Sequence, residues 1–357
     1  MVHWKPTGTL NTTQMNNKDL PVLVTGASGL VGTYLLLYLV RQGHTNIRAL
    51  HRKNSDLSLL ESVKEKINWV EADINHYYDI EEAMQGVYQV YHCAAMVSYD
   101  DRDYHQIINT NVGGTENVVN AALNTGVAKF LHVSSTAAVG KTKNGTPNSE
   151  KNKWSKQSGH STYAISKYLS EQVVWRGCAE GLNAVIVNPA IIVGAGDWSR
   201  SSAALFRQIQ EGLKFYPLGG TGFVDVRDVV AFMHLLMENE ISMERYILSA
   251  DNITFKTFFE QIAQHLGKPT PTIPVNPLLR ELSWRLEWLR SRLTGKKVLI
   301  TRETARLSAQ KQTFDNSKSL GLKGFRYRNL KESIAETAAL LKKTTEQKNR
   351  NKLLPFD

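Results

Sequence analysis

The chain has 357 residues, 42% of them hydrophobic, and a formal net charge of +10. This length and apolar content allow one large or two modest domains with a substantial core. The two cysteines, Cys93 and Cys178, are too few and too far apart for a disulfide framework, so we expect a reducing, cytoplasmic location. No window reaches the roughly 18–20 apolar residues of a membrane span, which argues against a transmembrane segment.

The basic residues are concentrated late in the chain, mainly in 280–306 and 342–352. A solvated basic surface explains this excess more simply than nucleic-acid binding, so we expect no nucleic-acid partner. Residues 1–18 are polar and lack the apolar centre of a signal peptide. We predict a flexible leader there.

A valine-rich strand over 21–25 runs directly into three glycines and an apolar helix that begins at residue 30. This order places the N-terminus of a helix, which favours anions, next to a tight turn. Gly26 permits the sharp exit from the strand, Gly29 lets the backbone approach a pyrophosphate, and Gly32 lets helix and strand pack closely. The segment therefore predicts a phosphate-binding turn.

A second strand is predicted over 46–52, and it ends at Arg52. In a dinucleotide-binding fold the residue about 20 positions beyond the glycines faces the adenosine ribose. An acid there accepts from the 2′-hydroxyl of NAD, whereas a cation pairs with the 2′-phosphate of NADP. We therefore predict NADP as the cofactor, in preference to NAD.

Two more strands are predicted over 67–74 and 87–95. Asp73 lies near the carboxyl end of the third strand, where its carboxylate can accept from an adenine amino group. The fourth strand ends in the small residues Ala94 and Ala95, which let a flat ligand lie against the backbone. His92, within this strand, is interpreted as a packed histidine rather than a catalytic one.

The alternation continues with a helix over 109–123, a fifth strand over 129–135 and a sixth over 184–188 that ends at Pro189. Strands that alternate with helices of ~10–15 residues are typical of a parallel sheet. The predicted fold class is α/β, with a doubly wound Rossmann sheet and a smaller, mostly helical C-terminal substrate lid.

The domain boundaries are placed where the alternation of strands and helices stops and where it resumes. The dinucleotide-binding domain is predicted at 19–189 and 223–249, and the substrate lid at 190–222 and 250–345. The last residues, 346–357, are predicted to form a solvated polar tail.

Tyr163 and Lys167 are four residues apart, which places them on the same face of a helix. A nearby ammonium favours a phenolate, so Lys167 is expected to lower the pKa of Tyr163 towards neutrality. Ser135, just past the fifth strand, can hold a carbonyl or hydroxyl oxygen against that phenol. The three side chains together predict protonation of an alkoxide as a hydride arrives from a nicotinamide.

A series of segments between residues 20 and 240 forms one combination of motifs: TGASGLVG (25–32), EADI (71–74), YHCAAMVS (91–98), NTNVGGTENVVNAA (109–122), VSSTAAVG (133–140), YAISK (163–167), VNPAIIVGAGD (187–197) and FVDVRDVV (223–230). In combination they resemble the extended short-chain dehydrogenase/reductases of the epimerase/dehydratase superfamily. Within that family the chain is most similar to the branch of dihydroflavonol reductases and 3β-hydroxysteroid dehydrogenases.

By that resemblance, the catalytic positions are Ser135, Tyr163 and Lys167, and Lys167 also binds the nicotinamide ribose. The glycine turn contacts the pyrophosphate, Asp73 and Ile74 hold the adenine, and no metal is implied. Together with Arg52, the expected cofactor-binding set is Gly26, Gly29, Leu30, Val31, Gly32, Arg52, Asp73, Ile74, Ala94, Ala95, Tyr163, Lys167 and Pro189. A homodimer is the habit of the family and an expectation here.

The chain departs from the family pattern at two places. Ala195 stands where a proline is usual, so the loop beside the nicotinamide can differ in shape. Residues 136–138 lack the acidic pair of the 4,6-dehydratases, which disfavours a dehydratase.

Asn111 matches a family asparagine, for which a structural role is favoured over a proton relay.

The expected function is that of an NADP(H)-dependent oxidoreductase that reduces a ketone or aldehyde of an apolar, flavonoid-, steroid- or terpenoid-like molecule, or oxidises the alcohol. Two alternatives stay open. One is a nucleotide-sugar epimerase with tightly bound NAD, and the other is a non-catalytic NADP-binding sensor.

Residues 276–293 contain an apolar stripe at positions 278, 279, 282, 286 and 289. The stripe is typical of a helix packed on its own domain. It also fits a mobile cover over an apolar substrate or a weak membrane-surface contact.

Overall fold

The computed structural model describes most of the chain, namely residues 17–142, 145–155, 160–294, 301–346 and 353–356. The leader predicted over 1–18 lies outside the described residues except for its last two, which begin a short 3-10 helix, Asn17–Asp19.

The described residues form twelve β-strands: β1 (Val22–Thr25), β2 (Ile47–His51), β3 (Asn68–Glu71), β4 (Gln89–His92), β5 (Lys129–Val133), β6 (Ala184–Pro189), β7 (Ile191–Val193), β8 (Phe215–Pro217), β9 (Gly220–Asp225), β10 (Glu244–Leu248), β11 (Asp251–Thr254) and β12 (Ile273–Val275). They also form twelve α-helices: α1 (Leu30–Arg41), α2 (Tyr77–Ala83), α3 (Tyr104–Ile108), α4 (Gly114–Thr125), α5 (Thr162–Ala179), α6 (Ala203–Gln210), α7 (Val226–Met237), α8 (Phe255–Leu266), α9 (Pro277–Thr294), α10 (Arg302–Leu307), α11 (Ser317–Leu320) and α12 (Leu330–Glu346). Further 3-10 helices are Ser58–Lys66, Asp101–Asp103 and Thr136–Ala138.

Seven strands form one sheet in the order β10-β6-β5-β4-β1-β2-β3, and every neighbouring pair is parallel. Strands of a parallel sheet are covered on both faces, which explains their continuous apolar runs. Val22 and Val24 lie in one core and Leu23 in the other. The predicted doubly wound sheet is confirmed, and its strand order reverses between β1 and β4, where such folds bind ligands.

Helices cover the two faces of this sheet. Helices α1 and α7 pack together on one face, and α2, α4 and α5 pack in series on the other. The helix predicted over 109–123 begins earlier than expected, because α3 continues through one π-helical turn, Asn109–Gly113, into α4. Turns of this kind are frequent at functional sites.

The C-terminal region is helical, as predicted, but it also contains short strands that the sequence did not reveal. Strands β11, β9 and β7 form a three-stranded sheet, and β12 pairs with β8. Phe206, Phe223 and Phe258 are fully buried among α6, β9 and α8, with the rings of Phe223 and Phe258 stacked at 4.3 Å. No helix in the described ranges is both long and apolar enough to cross a membrane.

The prediction of a solvated tail over 346–357 is wrong for its described part. Leu354 is 3% exposed, and its N–H donates to the Tyr34 hydroxyl at 2.8 Å. The Phe356 ring lies 5.3 Å from that of Tyr38, and the Pro355 carbonyl accepts from Arg227. The Leu-Leu-Pro-Phe sequence is apolar enough to pack on α1, although it follows a polar stretch.

Candidate active site

The glycine turn after β1 is held by contacts that leave no room for side chains. Gly26 has φ +69°, and a Cβ there would lie 2.6 Å from the Ala94 nitrogen. A Cβ on Gly32 would lie 2.2 Å from the Gly26 carbonyl oxygen. The turn therefore packs α1 closely on β1, as the glycine spacing predicts, and it also contacts the end of β4.

Helix α1 begins without a side-chain cap among the described residues, because its N-cap is Gly29. Its first N–H groups, on Leu30, Val31 and Gly32, have no intrahelical acceptors. Uncapped N–H groups beside closely packed glycine backbone suit a pyrophosphate, which the helix dipole also favours. The turn thus fits the pyrophosphate of a dinucleotide.

The predicted adenosine end of the site lies at the carboxyl ends of β2 and β3. Arg52 and Asp73 line one surface cavity, together with Lys53, Asn54, Glu71, Ala72, His76 and Asp79. Arg52 is exposed and forms a turn in which its N–H donates to the Ser55 hydroxyl at 3.0 Å. One Asp73 oxygen accepts from the Asn75 backbone at 2.9 Å and from its side chain at 2.8 Å.

Ile74 follows Asp73 and is buried against the start of α4, where a Cβ on Gly114 would lie 2.5 Å from its Cδ1 atom. The Ile74 carbonyl accepts from Asn117 at 2.9 Å. These contacts hold the backbone beside Asp73 in place against α4.

Ser135, Tyr163 and Lys167 come together beyond the carboxyl end of β5. Tyr163 and Lys167 are buried on one face of α5, and the Ser135 side chain lies close enough to the Tyr163 phenol to influence its pKa. The Lys167 ammonium donates to the Val133 carbonyl at 2.7 Å. Tyr163 and Lys167 share a helical face, as their spacing predicts, and Ser135 follows β5.

The expected direction of the Tyr163 pKa shift is wrong. Burial raises the pKa of the phenol, and the nearby Ser135 side chain lowers it only in part. Burial also lowers the pKa of Lys167 to about 8, against the opposing influence of Glu171 and Cys93. At neutral pH the phenol is therefore protonated and the lysine is charged, which suits a proton donor.

A buried network behind Ser135 was not predicted. The Glu171 carboxylate, which is fully buried, accepts from Ser134 at 2.6 Å and Asn188 at 2.5 Å, and pairs with Arg245 at 3.1 Å. Asn188 also donates to the Ser135 carbonyl at 2.9 Å. The network joins α5, β6 and β10, and it fixes the backbone that carries the Ser135 hydroxyl.

Asn111 and His92 are held by the protein itself. The Asn111 amide accepts from the Met96 N–H at 2.7 Å and donates to the Met96 carbonyl and to Ser166. These contacts fit the structural role expected of it. The His92 ring is buried, and its nitrogens are hydrogen-bonded with Thr25 and Thr115. His92 is therefore a packed histidine, as predicted.

The nicotinamide end of the predicted site lies near the carboxyl ends of β4 and β6. Ala94 and Ala95 follow β4 with partly exposed and exposed side chains, and Pro189 closes β6 in register with Leu248. The Ala195 carbonyl accepts from the Tyr34 hydroxyl at 3.0 Å. The loop that carries alanine instead of proline is therefore tied to α1.

Two further side chains in this region, Tyr99 and Glu303, were not predicted from the sequence. The Tyr99 ring contacts that of Tyr163 edge-on at 5.7 Å. Burial raises the pKa of Tyr99, and nearby Tyr163 and Glu303, the latter on α10, raise it further. Burial and Asp101 raise the pKa of Glu303 itself to about 7, and its Oε1 atom is buried with no hydrogen-bond partner among the described residues. Helix α10 thus brings a carboxyl group near Tyr99, whose ring contacts that of Tyr163.

Comparisons with known proteins agree with this architecture. The family model for the NAD dependent epimerase/dehydratase family matches residues 22–248. Sterol demethylase protein B of Methylococcus capsulatus is 31% identical over 264 residues, which are 73% of this chain and 79% of that protein. A putative dihydroflavonol 4-reductase of Synechocystis is 29% identical over 323 residues, 88% of this chain and 92% of that protein.

Among solved structures, the crystal structure of gox2253 superposes with a TM-score of 0.77 at 29% sequence identity. The match covers 93% of this chain and 99% of that one. It therefore includes the C-terminal region as well as the sheet.

Proposed function

The chain belongs to the NAD dependent epimerase/dehydratase family, as an NAD(P)-dependent enzyme of the extended short-chain dehydrogenase/reductase type, and we propose that it is an NADP(H)-dependent reductase of a ketone or aldehyde group. The same site can run the reverse oxidation of the alcohol. The observation that carries the proposal is that Ser135 lies near the Tyr163 phenol, with buried Lys167 on the same face of α5. This group and the glycine turn both lie at the carboxyl edge of the sheet.

In the proposed reaction the cofactor supplies the hydride when it is bound. Ser135 donates to the carbonyl oxygen and holds it beside the phenol, and Tyr163 then gives that oxygen a proton. The Lys167 charge favours the phenolate that remains. Since burial keeps Tyr163 protonated at neutral pH, the phenol carries the proton that reduction requires.

An apolar ring compound is the proposed substrate class. The names of two relatives refer to a sterol and a dihydroflavonol, which are both ring compounds. The Tyr99 ring beside Tyr163 offers a flat surface for such a molecule. Glu303 can accept a hydrogen bond from a hydroxyl group on it.

The proposal is tested by following the absorbance of NADPH during incubation with a panel of ring ketones and aldehydes, with the Tyr163→Phe variant as the blank. We expect consumption of NADPH that depends on the carbonyl compound. Interconversion of nucleotide sugars without net cofactor consumption would instead identify an epimerase. NADPH binding without turnover of any compound in either test would favour a sensor.

Arg52→Asp should move the cofactor preference from NADPH to NADH. A hydrogen bond to a charged group contributes about 1.5–3 kcal/mol, so the KM for NADPH should rise about 10- to 100-fold. The new carboxylate can accept from the 2′-hydroxyl, so the KM for NADH should fall. Steady-state kinetics with both nucleotides measure the switch.

Lys66→Asp is the matched control for the change in charge. Lys66 is also exposed but lies just before β3 begins, at the other edge of the sheet from Arg52. It should leave both KM values unchanged. If Arg52→Asp raised the KM for NADPH and the KM for NADH equally, Arg52 would not be the residue that recognises the 2′-phosphate.

The amphipathic helix α9 supports a further part of the proposal, a weak contact with an anionic membrane surface. Three of the stripe leucines, Leu278, Leu282 and Leu286, are 71%, 46% and 65% exposed. The guanidinium groups of Arg285 and Arg292 lie 5.2 Å from the Trp284 and Trp288 rings respectively. At about 100° per residue, Arg285 and Arg292 flank the leucine face, and an apolar face flanked by arginine is typical of helices that lie on anionic lipid.

The double change Leu282→Glu with Leu286→Glu should weaken binding to phosphatidylglycerol vesicles at least tenfold in cosedimentation. Full burial of one leucine contributes about 1.5–3 kcal/mol, so partial burial of two suffices for this loss. Leu320→Glu, at a 37% exposed leucine on α11, is the control and should bind normally. Loss of folding in the double variant would mean that the stripe packs within the protein.

A further inference from the structure

Two histidines and a glutamate meet at the edge of the sheet opposite the candidate active site. His44 follows the end of α1, and His234 and Glu238 lie one helical turn apart at the end of α7. Both helices run back from the carboxyl edge of the sheet, so these residues lie near its amino edge. The cluster is therefore separate from the glycine turn and from Tyr163.

The geometry of the cluster suits a metal ion. The Nε2 atoms of His44 and His234 are hydrogen-bonded at 3.1 Å, and one nitrogen of each ring and one carboxylate oxygen of Glu238 all lie within 4.8 Å of one another. Two imidazoles on a tetrahedral zinc, at 2.0–2.1 Å each, have nitrogens about 3.3 Å apart. The separation of the two nitrogens is therefore within a few tenths of an ångström of that in a zinc site.

The environment directs both rings towards this point. His44 is buried, and its Nδ1 atom has no hydrogen-bond partner among the described residues, so its polar contact is made through Nε2. The two rings are nearly perpendicular, at 88°. Lys18 acts on both imidazoles and opposes a cation, whereas the Glu238 carboxylate offsets that charge.

We propose that His44, His234 and Glu238 bind a divalent transition metal of the Zn²⁺ class and so tie the end of α1 to the end of α7. Two imidazoles and a carboxylate are a ligand set that zinc accepts, with water in the fourth position. An ion that binds the folded chain alone raises its stability through mass action. The sequence did not reveal the site because the two histidines are 190 residues apart.

The test uses the full chain without a polyhistidine tag, stripped with a chelator and titrated with Zn²⁺ by calorimetry and with Co²⁺ by visible absorption. We expect one saturable ion per chain, a cobalt spectrum of low-coordinate geometry, and a higher thermal midpoint with Zn²⁺. Loss of a second-shell partner already costs about tenfold in affinity, so loss of a ligand in His234→Ala should cost at least that.

Two further variants distinguish loss of a metal ligand from loss of folding. Glu238 is exposed, so Glu238→Gln should fold normally and still bind Zn²⁺ at least about tenfold more weakly. His265→Ala, at an exposed histidine on α8, is the matched control and should bind like the wild-type chain. The proposal is overturned if the wild-type chain shows no saturable Zn²⁺ binding, or if Glu238→Gln and His234→Ala both bind as tightly as His265→Ala.

Discussion

Tyr163→Phe should remove turnover while leaving the affinity for NADPH nearly unchanged. The phenylalanine ring keeps the apolar contacts of a side chain that is only 9% exposed, including the edge-on contact with Tyr99. It deletes the hydroxyl that protonates the substrate oxygen in the proposed mechanism. General acid catalysis typically contributes 10²–10⁴-fold, so a loss in this range or beyond is expected.

Steady-state turnover with NADPH and the best carbonyl compound measures the first part, and quenching of protein fluorescence by NADPH measures the second. Tyr168→Phe is the matched control. It removes a hydroxyl from the same helix, where the Tyr168 ring stacks on Trp154 at 4.6 Å. That variant should keep its activity. If Tyr163→Phe retained turnover within about tenfold of the wild type, Tyr163 would not be the proton donor.

The parts of the site nearest to short sequence motifs could be predicted. Gly26 and Gly32 are six positions apart in the sequence. Their roles follow from backbone geometry within one strand–turn–helix unit. Tyr163 and Lys167 share one helical face because of their spacing alone. Local rules suffice in both cases, since chain neighbours fix the geometry.

The residues that escaped prediction depend on contacts between distant segments. Glu171 lies four residues beyond Lys167, so the Tyr163–Lys167–Glu171 spacing was a usable signal for one helical face. Its partners Asn188 and Arg245, however, come from β6 and β10, and only the folded sheet brings them together. Glu303 likewise reaches the neighbourhood of Tyr99 through the packing of α10.

The pKa of Tyr163 shows how burial can reverse an inference from spacing. The sequence indicated an ammonium beside a phenol, and that pairing alone lowers a phenol pKa. It did not indicate that both groups are buried, and burial disfavours the charged form of each. The apolar Leu353–Phe356 segment was missed for a related reason, because its packing surface on α1 is more than 300 residues away in sequence.

Gly32→Ala should lower the free energy of unfolding by about 3 kcal/mol or more, at the upper end of the usual cost of overpacking. The added Cβ would lie 2.2 Å from the Gly26 carbonyl oxygen and 3.0 Å from the Ala27 Cα atom. These are backbone atoms of the turn, and Gly26 is itself confined by Ala94. The strain cannot be relieved by a side-chain rotation, so α1 has to move away from β1.

Denaturant unfolding of the wild type and of Gly32→Ala measures this loss of stability. The affinity for NADPH should also fall, because the N–H groups at the start of α1 move with the helix. Gly113→Ala is the matched control, since its Cβ would meet only the Asn109 side chain, at 3.6 Å. Alanine there should be neutral or stabilise by up to about 1 kcal/mol. A Gly32→Ala chain as stable as the Gly113→Ala chain, with normal NADPH binding, would show that the close packing of β1 and α1 does not hold the phosphate-binding turn in place.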